Sequence, residues 1–545
     1  MRISRNSKGL VLAGCLLGLG SPPAVRAQPA ADDSLPRIVQ KDGRYALMVD
    51  GAPYLMLGAQ IHNSSAWPGM MPKVWPALDY LHVNTAEMPV YWEQIEPAQG
   101  QFDFSVVDTL LKEAREHKVH LVLLWFGTWK NGSSHYMPEW MKQTPEKYPN
   151  ITGRNGKWVD SPSPHCEAAM ELDKSAFSNF MGHLKSADPQ HTVLMVQVEN
   201  EPGAWGSVRD FSPAAQKIFE SPVPPELLKA LNKQASATAA WQEVFGDNAD
   251  EYFHAWSVAH YIQQVAAAGK AVYPLPLYVN AALRDPINPG KASTYESGGA
   301  TDNVLPIWKA AAPAIDVLAP DIYISDSTKV LKVMELYHRA DNPLMVPEIG
   351  NSPEYARYFF AALGNQTIGY SPFGLDYSHS VIDSPAALAQ AEAALTPMAL
   401  NYQAIGPMQR QIARWNFEGK VQAAVQREDG SPAVLTCGKW NANISFGGGG
   451  RQPAPAPAAD ARPVGRILVA QLAENEFIVT GFYSRVAFRP NGDSTGKPWQ
   501  FMKVEEGQYD AGVFKPIRIW NGDETDNGLN FTSAPQVLHV TLSLR

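Results

Sequence analysis

Val193-Leu194-Met195-Val196-Gln197-Val198-Glu199-Asn200-Glu201 is an apolar run that stops abruptly at Glu-Asn-Glu, with Pro202-Gly203 directly behind it. A run of Val, Leu and Met with so little alternation reads as a strand buried on both faces, the habit of parallel sheets covered by helices. Pro202 and Gly203 bend the chain away, which leaves the polar residues at the C-terminal end of the strand. A second run of the same kind, Leu344-Met345-Val346-Pro347-Glu348-Ile349-Gly350, also delivers a glutamate into a turn.

Outward from these two, the same texture recurs. Strands are expected at 54–60, 82–90, 119–129, 192–201, 276–283, 315–324, 344–350 and 367–376. Helical patterns separate them. The clearest runs from 103 to 118, where Phe104, Val107, Leu111 and Ala114 recur at helical spacing above a charged face. Repeated strand–helix units imply a parallel sheet with covered faces, and eight of them predict a (β/α)8 TIM barrel. Residues 38–50 read as a hairpin ahead of the first barrel strand, and 386–403 as the closing helix. Near residue 415 the texture changes to short strands with turn residues between them, at 421–426, 466–472, 476–482, 486–489, 514–520 and 537–544. These predict a C-terminal all-β sandwich of jelly-roll type. Gly447–Gly450 with Pro453, Pro455 and Pro457 is a low-complexity stretch expected as a mobile loop within or beside that domain. The domain reading is therefore a signal peptide at 1–27, a barrel at 28–410 and a sandwich at 411–545.

The 545 residues are 45% hydrophobic and 18% charged, as a globular chain requires. A net charge of -9 gives no support to nucleic-acid binding, which needs a basic stripe. Fifteen Trp, 20 Tyr and 20 Phe are plentiful, and flat aromatic faces suit sugar rings. Arg2, Arg5 and Lys8 precede an apolar stretch at 9–20, and Val25-Arg26-Ala27 offers small residues for cleavage. This predicts export, to the periplasm or the medium. Leu12-Ala13-Gly14-Cys15 resembles a lipoprotein box, but the apolar run continues past Cys15, which favours soluble export. No other segment is long and apolar enough to span a bilayer. Cys166 and Cys437 fall in different domains, and nothing in the sequence pairs them. No zinc spacing occurs, and the calcium-like start at 523–528 has Ala534 where the bidentate glutamate should stand. Neither a metal nor a cofactor is expected.

In a barrel the active site forms where strands end, so Glu201 after strand four and Glu348 after strand seven should share one cleft. Two such carboxyls are the equipment of glycoside hydrolysis: one stays protonated and donates to the leaving oxygen, the other stays ionised and attacks. Strand alternation puts Glu199 on the same face as Glu201, and the pattern alone does not separate them.

Gln197-Val198-Glu199-Asn200-Glu201 resembles the Gln-Val-Glu-Asn-Glu signature of glycoside hydrolase family 35, the retaining exo-β-galactosidases. Asn84-Thr85, Trp92, Glu96-Pro97, Gly100 and Phe102-Asp103-Phe104-Ser105 match the second-strand region of that family. The resemblance covers residues 37–400, and the C-terminal part is similar to the β-sandwich of a bacterial subgroup. It implies a cofactor-free hydrolase of terminal β-galactosyl residues, such as those on plant cell-wall side chains like xyloglucan. Glu201 would be the acid/base, Glu348 the nucleophile and Asn200 a ligand of the sugar 2-hydroxyl, with Glu199 in a supporting role. Two departures stand out. Gly127-Thr128-Trp129 occupies the place where many members have Ala-Glu-Trp, and Met88-Pro89-Val90 the place of Thr-Tyr-Val. Glu87, Tyr91 and Tyr136 are the candidates to replace those sugar contacts. Tyr323 is the candidate partner of the nucleophile. Trp129, Trp205 and Phe373 are candidate pocket walls, and His62 reads as structural. The departures keep open an arabinosidase or xylosidase with the same two glutamates. A non-catalytic sugar-binding barrel is the alternative of a different class, and retention of both glutamates weighs against it.

Overall fold

The computed structural model describes residues 35–447 and 462–545. The export segment read at 1–27, with Cys15, and the Pro-rich stretch beyond Gly447 lie outside the described residues. Eight parallel strands close into a barrel: Met56–Gln60 (β1), Thr85–Tyr91 (β2), His120–Lys130 (β3), Val193–Asn200 (β4), Leu277–Ala282 (β5), Val317–Ile322 (β6), Val346–Ile349 (β7) and Gly369–Pro372 (β8). Around the ring the order is β5-β6-β7-β8-β1-β2-β3-β4. Each coincides with an expected strand, trimmed at one or both ends, though β2 and β3 each run one residue further than expected. The trimming has local causes. β2 starts at Thr85 rather than at 82 because His82 takes a left-handed conformation (φ 57°) that closes the helix Met71–Leu81. Asn84 then ties the start of β2 to β1, accepting from Leu57 N at 2.8 Å and donating to Leu55 O at 3.0 Å.

The amphipathic pattern near 103–118 folds as the helix Ser105–His117, burying Val107, Leu110, Leu111 and Ala114. The closing helix runs Pro385–Ile405. Ahead of the barrel, the expected hairpin gains a third strand. Arg37–Lys41, Arg44–Val49 and Ala52–Tyr54 form one antiparallel sheet, because Asp50 and Gly51 both adopt positive φ and reverse the chain tightly.

After the helix Gln409–Phe417, the C-terminal strands form two antiparallel sheets, one of six strands and one of four. All six expected strands are present. Sequence reasoning missed Ala433–Cys437, Trp440–Phe446, Trp499–Asp510 and Leu529–Phe531. In the six-stranded sheet, Arg466–Ala473 and Glu476–Phe482 bury residues on both faces. Ile467, Val469, Phe477 and Val479 pack toward the four-stranded sheet. Their neighbours Leu468, Ala470, Ile478 and Phe482 join the barrel's core, as a two-residue period requires. On the barrel side the partner is the helix Ala356–Gly364, whose Phe360 meets Phe482 edge-on at 6.1 Å. Arg466 seals this seam from a fully buried position. It donates to Asn401 Oδ1 at 2.6 Å and lies 4.2 Å from the Phe482 ring. Cys166 and Cys437 are both buried and free.

The approach is close at Gly364, where a Cβ would lie 2.9 Å from both the Cβ and the backbone N of Ala423. Gly364→Leu is expected to force the sheet away from the helix and to destabilise the chain by about 1–3 kcal/mol. Catalysis per folded molecule should be unchanged. Denaturant titration beside an activity assay checks both halves.

Candidate active site

The C-terminal ends of the strands gather an unusual density of carboxyl groups. Glu348, on β7, is almost wholly buried. Gln60, from the end of β1, donates to its Oε2 at 2.9 Å, and the Tyr323 hydroxyl, just past β6, donates to its Oε1 at 2.5 Å. Both oxygens are thereby fixed in place. The Tyr323 phenol is held far above its ordinary pKa by burial and by the charge on Glu348, so it remains a donor. Its outer edge is exposed.

Glu201 follows β4, and its backbone N–H donates to Asn280 Oδ1, from β5, at 2.9 Å. Burial first, and the charge of Glu348 second, push its carboxyl up to about 7 against the opposing pull of Lys130. Asp321, on β6, lies in the same field and is raised well above the usual carboxylate range by burial, then by Glu348 and Glu201. Asn280 Nδ2 donates to it at 2.6 Å. Asn200 is fully buried. Its Oδ1 accepts from Lys130 Nζ at 2.8 Å, while its Nδ2 has no protein partner, which leaves a donor for a substrate hydroxyl.

The β3–β4 register explains how Glu199 and Glu201 come apart. Trp125 faces Val198, but the next matched pair is Lys130 and Asn200, so residues 126–129 bulge out opposite Glu199 alone. Glu199 and Glu201 both adopt positive φ, 63° and 44°, and the simple alternation expected from the sequence fails there. Glu199 turns toward the surrounding helices. Its Oε2 accepts from Trp129 N at 2.6 Å, and it lies against Asp173 of the helix Glu167–Ala187. Asp173 in turn accepts from Trp125 Nε1 at 3.0 Å and Thr128 Oγ at 2.6 Å. Glu199 supports the wall, and Glu201 shares the cleft with Glu348.

The other expected site residues are placed unequally. Glu87 is fully buried on β2, accepts from the Tyr278 hydroxyl at 3.2 Å, and is raised by burial to about 8. Its Oε1 is unpartnered. Tyr91 and Tyr136 stack on one another at 5.2 Å. Tyr91 is buried and accepts from Ala66 N, and Tyr136 is half-buried. Trp205 is exposed and Phe373 half-buried at the end of β8. Trp129 departs from the expectation of a pocket wall. The bulge carries its ring fully out of solvent, edge-on against Tyr261 of the helix Ala249–Val272 at 4.7 Å.

Gln60, Lys130, Asn280, Asp321 and Glu296 were not foreseen. The first four share one signal that the sequence did carry: a polar residue inside or ending an otherwise apolar strand. Glu296 lies in the loop after β5 and is fully buried, with neither carboxyl oxygen paired. A Cβ on Gly132 would strike its Oε1 at 2.5 Å, and one on Gly203 its Cγ at 2.8 Å. The loops after β3 and β4 close over it because both positions are glycine.

Comparison with known proteins meets this geometry. Residues 76–266 match the family model described as beta-galactosidase, glycoside hydrolase family 42. The span takes in β2 to β4 with Glu87, Lys130, Asn200 and Glu201. The agreement with the sequence resemblance is at the level of β-galactosidase, across a difference of family number. Residues 398–532 match a domain of unknown function, DUF5597. A β-galactosidase of Xanthomonas manihotis is 29% identical over 167 residues, 29% of this chain and 25% of that protein. Beta-galactosidase 14 of Arabidopsis thaliana is 26% identical over 130 residues, 23% of this chain and 14% of that protein. The chain thus spans a quarter or less of the curated relatives it matches. Among solved structures, a β-galactosidase from Bacillus circulans sp. alkalophilus superposes with a TM-score of 0.48 at 13% identity, covering 66% of this chain and 57% of its own. The exo-β-1,4-mannosidase Op5Man5 from an Opitutaceae bacterium, strain TAV5, gives a TM-score of 0.40 at 16% identity, covering 70% and 62%.

Glu201 itself holds its proton up to about pH 7. With an aryl glycoside as substrate, kcat/KM is therefore expected to fall as pH rises through that value. Lys130 favours the ionised form of Glu201. Lys130→Met should raise the pKa and move the alkaline limb to higher pH. An unmoved or downward-moved limb in that variant would assign the limb to another group.

Proposed function

We propose that this chain is a retaining β-galactosidase that hydrolyses terminal non-reducing β-D-galactosyl residues. The observation that carries the mechanism is the unlike treatment of two carboxyls in one cleft. Glu348 has both oxygens fixed by donors from Gln60 and Tyr323, while Glu201 is half-buried and holds its proton to about pH 7. Glu348 attacks the anomeric carbon as Glu201 protonates the departing oxygen, giving a glycosyl ester on Glu348. Glu201, now ionised, then takes a proton from water as the water attacks that carbon, releasing the sugar and restoring both groups. In this reading the amide nitrogen of Asn200, which has no protein partner, donates to the sugar 2-hydroxyl. Galactose as the sugar rests on the match over residues 76–266 and on the curated relatives. Oligosaccharides of plant cell walls, such as xyloglucan, are the natural source that the sequence resemblance suggests, and the basic and apolar N-terminus supports export. Among the described residues no helix is long and apolar enough to cross a membrane.

A second reading has one observation in its favour. Gly127-Thr128-Trp129 stands where the sequence resemblance expects Ala-Glu-Trp, so a contact expected of a galactose site is replaced, which supports an arabinosidase or xylosidase using the same two glutamates. A panel of nitrophenyl glycosides separates the two sugars, and hydrolysis of any of them excludes a purely binding barrel.

The roles of the glutamates are tested with a dinitrophenyl galactoside, whose leaving group needs little proton donation. Glu348→Ala should abolish turnover. Glu201→Ala should form the glycosyl-enzyme and then stall, and azide should restore turnover, giving the β-galactosyl azide. On a substrate with a poor leaving group, Glu201→Ala should lose roughly 10²–10⁴-fold. Azide rescue in Glu199→Ala, with Glu201→Ala behaving as wild type, would reverse the assignment.

A further inference from the structure

Tyr323 holds one oxygen of Glu348, yet the residue is 52% exposed. A side chain with so little packing takes its position from the backbone that carries it. That backbone is the strap 323–327, which runs from the end of β6 into the helix Ser327–Tyr337.

The strap is held at three points. The Tyr355 hydroxyl, from beyond β7, donates to Tyr323 O at 2.8 Å. The Tyr358 hydroxyl donates to Ser325 O at 2.5 Å, and Arg357 Nη2 reaches the same oxygen at 3.4 Å. Both residues belong to the helix Ala356–Gly364. The third hold comes from the sandwich. Glu428 lies in the turn between the strands Val421–Val425 and Ala433–Cys437. Its Oε1 accepts from Ser327 N at 3.1 Å and its Oε2 from the Ser327 hydroxyl. Ser327 is fully buried, and its N–H is one of the first-turn donors that a helix cannot satisfy by itself. A carboxylate also suits the positive end of the helix.

The same carboxylate completes a buried charge. Arg357 is fully buried and donates to Glu428 Oε1 and to Pro463 O, both at 2.6 Å. Pro463 leads into the strand Arg466–Ala473, so two segments of the sandwich meet on one guanidinium. A buried cation stripped of its carboxylate is strongly disfavoured where it stands. Glu428 thus ties Ser327 directly and keeps Arg357 seated against Ser325.

We propose that Glu428 is a positioning residue for the nucleophile: from the sandwich it fixes residues 323–327 so that the Tyr323 hydroxyl meets Glu348. It touches no substrate and moves no proton. The inference rests on the reading of Glu348 as nucleophile, and it gives the C-terminal domain a part in catalysis without giving it a catalytic group. The seam is not one undivided contact. Gly364 ends the helix that Arg357 begins, about 10 Å away along its axis, so Gly364→Leu parts the sheet from the helix at the end remote from Glu428.

The test is a double-mutant cycle in the full chain, read as kcat/KM on dinitrophenyl β-galactoside. Tyr323→Phe removes a hydrogen bond to a charged group and should cost roughly 10–100-fold. Glu428→Ala should cost about tenfold, as a misplaced group does, with the binding of an uncleaved thiogalactoside unchanged. In the Tyr323→Phe background the same substitution should cost less than about twofold, because the contact it serves is gone. Gly364→Leu should keep the wild-type kcat/KM, which separates positioning from a general loosening of the seam. Thermal melting checks folding. If Glu428→Ala does not fold, Glu428→Gln, which keeps the shape and loses the charge, goes through the same cycle. The proposal is overturned if the folded Glu428 variant matches the wild type, if its loss is the same with and without the Tyr323 hydroxyl, or if thiogalactoside binding falls in step with turnover. Those results leave the two glutamates in their roles, which the azide experiment decides separately. If Glu348→Ala retains turnover, the mechanism fails and the positioning role falls with it. If another sugar is the substrate, the cycle runs on its dinitrophenyl glycoside and the same outcomes decide.

Discussion

The register break between β3 and β4 is the constraint on which the site depends. Two non-glycine residues at positive φ, Glu199 and Glu201, cost of order 1–3 kcal/mol each. Bonds made only because the strand is deformed offset that cost. The bulge turns Trp129 N inward to the Glu199 carboxylate, and Thr128 and Trp125 donate to Asp173 behind it. The same bulge ends at Lys130 and sets its ammonium group on Asn200. One local distortion therefore sorts two glutamates into different environments and delivers the only cation among the strand-end charges described above.

The surroundings of that cation explain how so many carboxyls coexist. Glu87, Glu201, Glu296 and Asp321 are all displaced upward, with burial as the first cause in every case. Like charges packed together in a dry cleft do not all ionise. Burial favours the protonated form of each of them. The proposed mechanism needs one ionised carboxylate and one proton on its partner, and burial favours the proton on Glu201.

Much of this was legible in the sequence, for a physical reason. A strand buried on both faces must be apolar throughout, so each of the eight barrel strands announces itself, and Glu201 and Glu348 stand out where two of them stop. Ambiguity began where backbone conformation departs from the extended state. Alternation assumes negative φ, and at Glu199 and Glu201 that assumption fails, so pattern alone could not separate them. Trp129 was misjudged for the same reason, since a bulge reverses which way a side chain faces. In the sandwich, Trp499–Asp510 carries scarcely any apolar alternation because much of its length is half-buried or exposed, and no periodicity was there to find. Glu296 sits in an irregular loop, where a lone glutamate gives no sign that two glycines elsewhere will close over it.

The six-stranded sheet carries a consequence for how this chain can change. Odd and even residues along Arg466–Ala473 and Glu476–Phe482 answer to different neighbours, one set to the opposite sheet and the other to the barrel helices. Little surface is left over on these strands to absorb drift. A substitution accepted by one side is still judged by the other, so the two halves are bound to vary together. Recombination that exchanges the sandwich for one from a distant relative would bring an outer face shaped to a different helix. The seam turns what looks like an appended module into a heritable partnership.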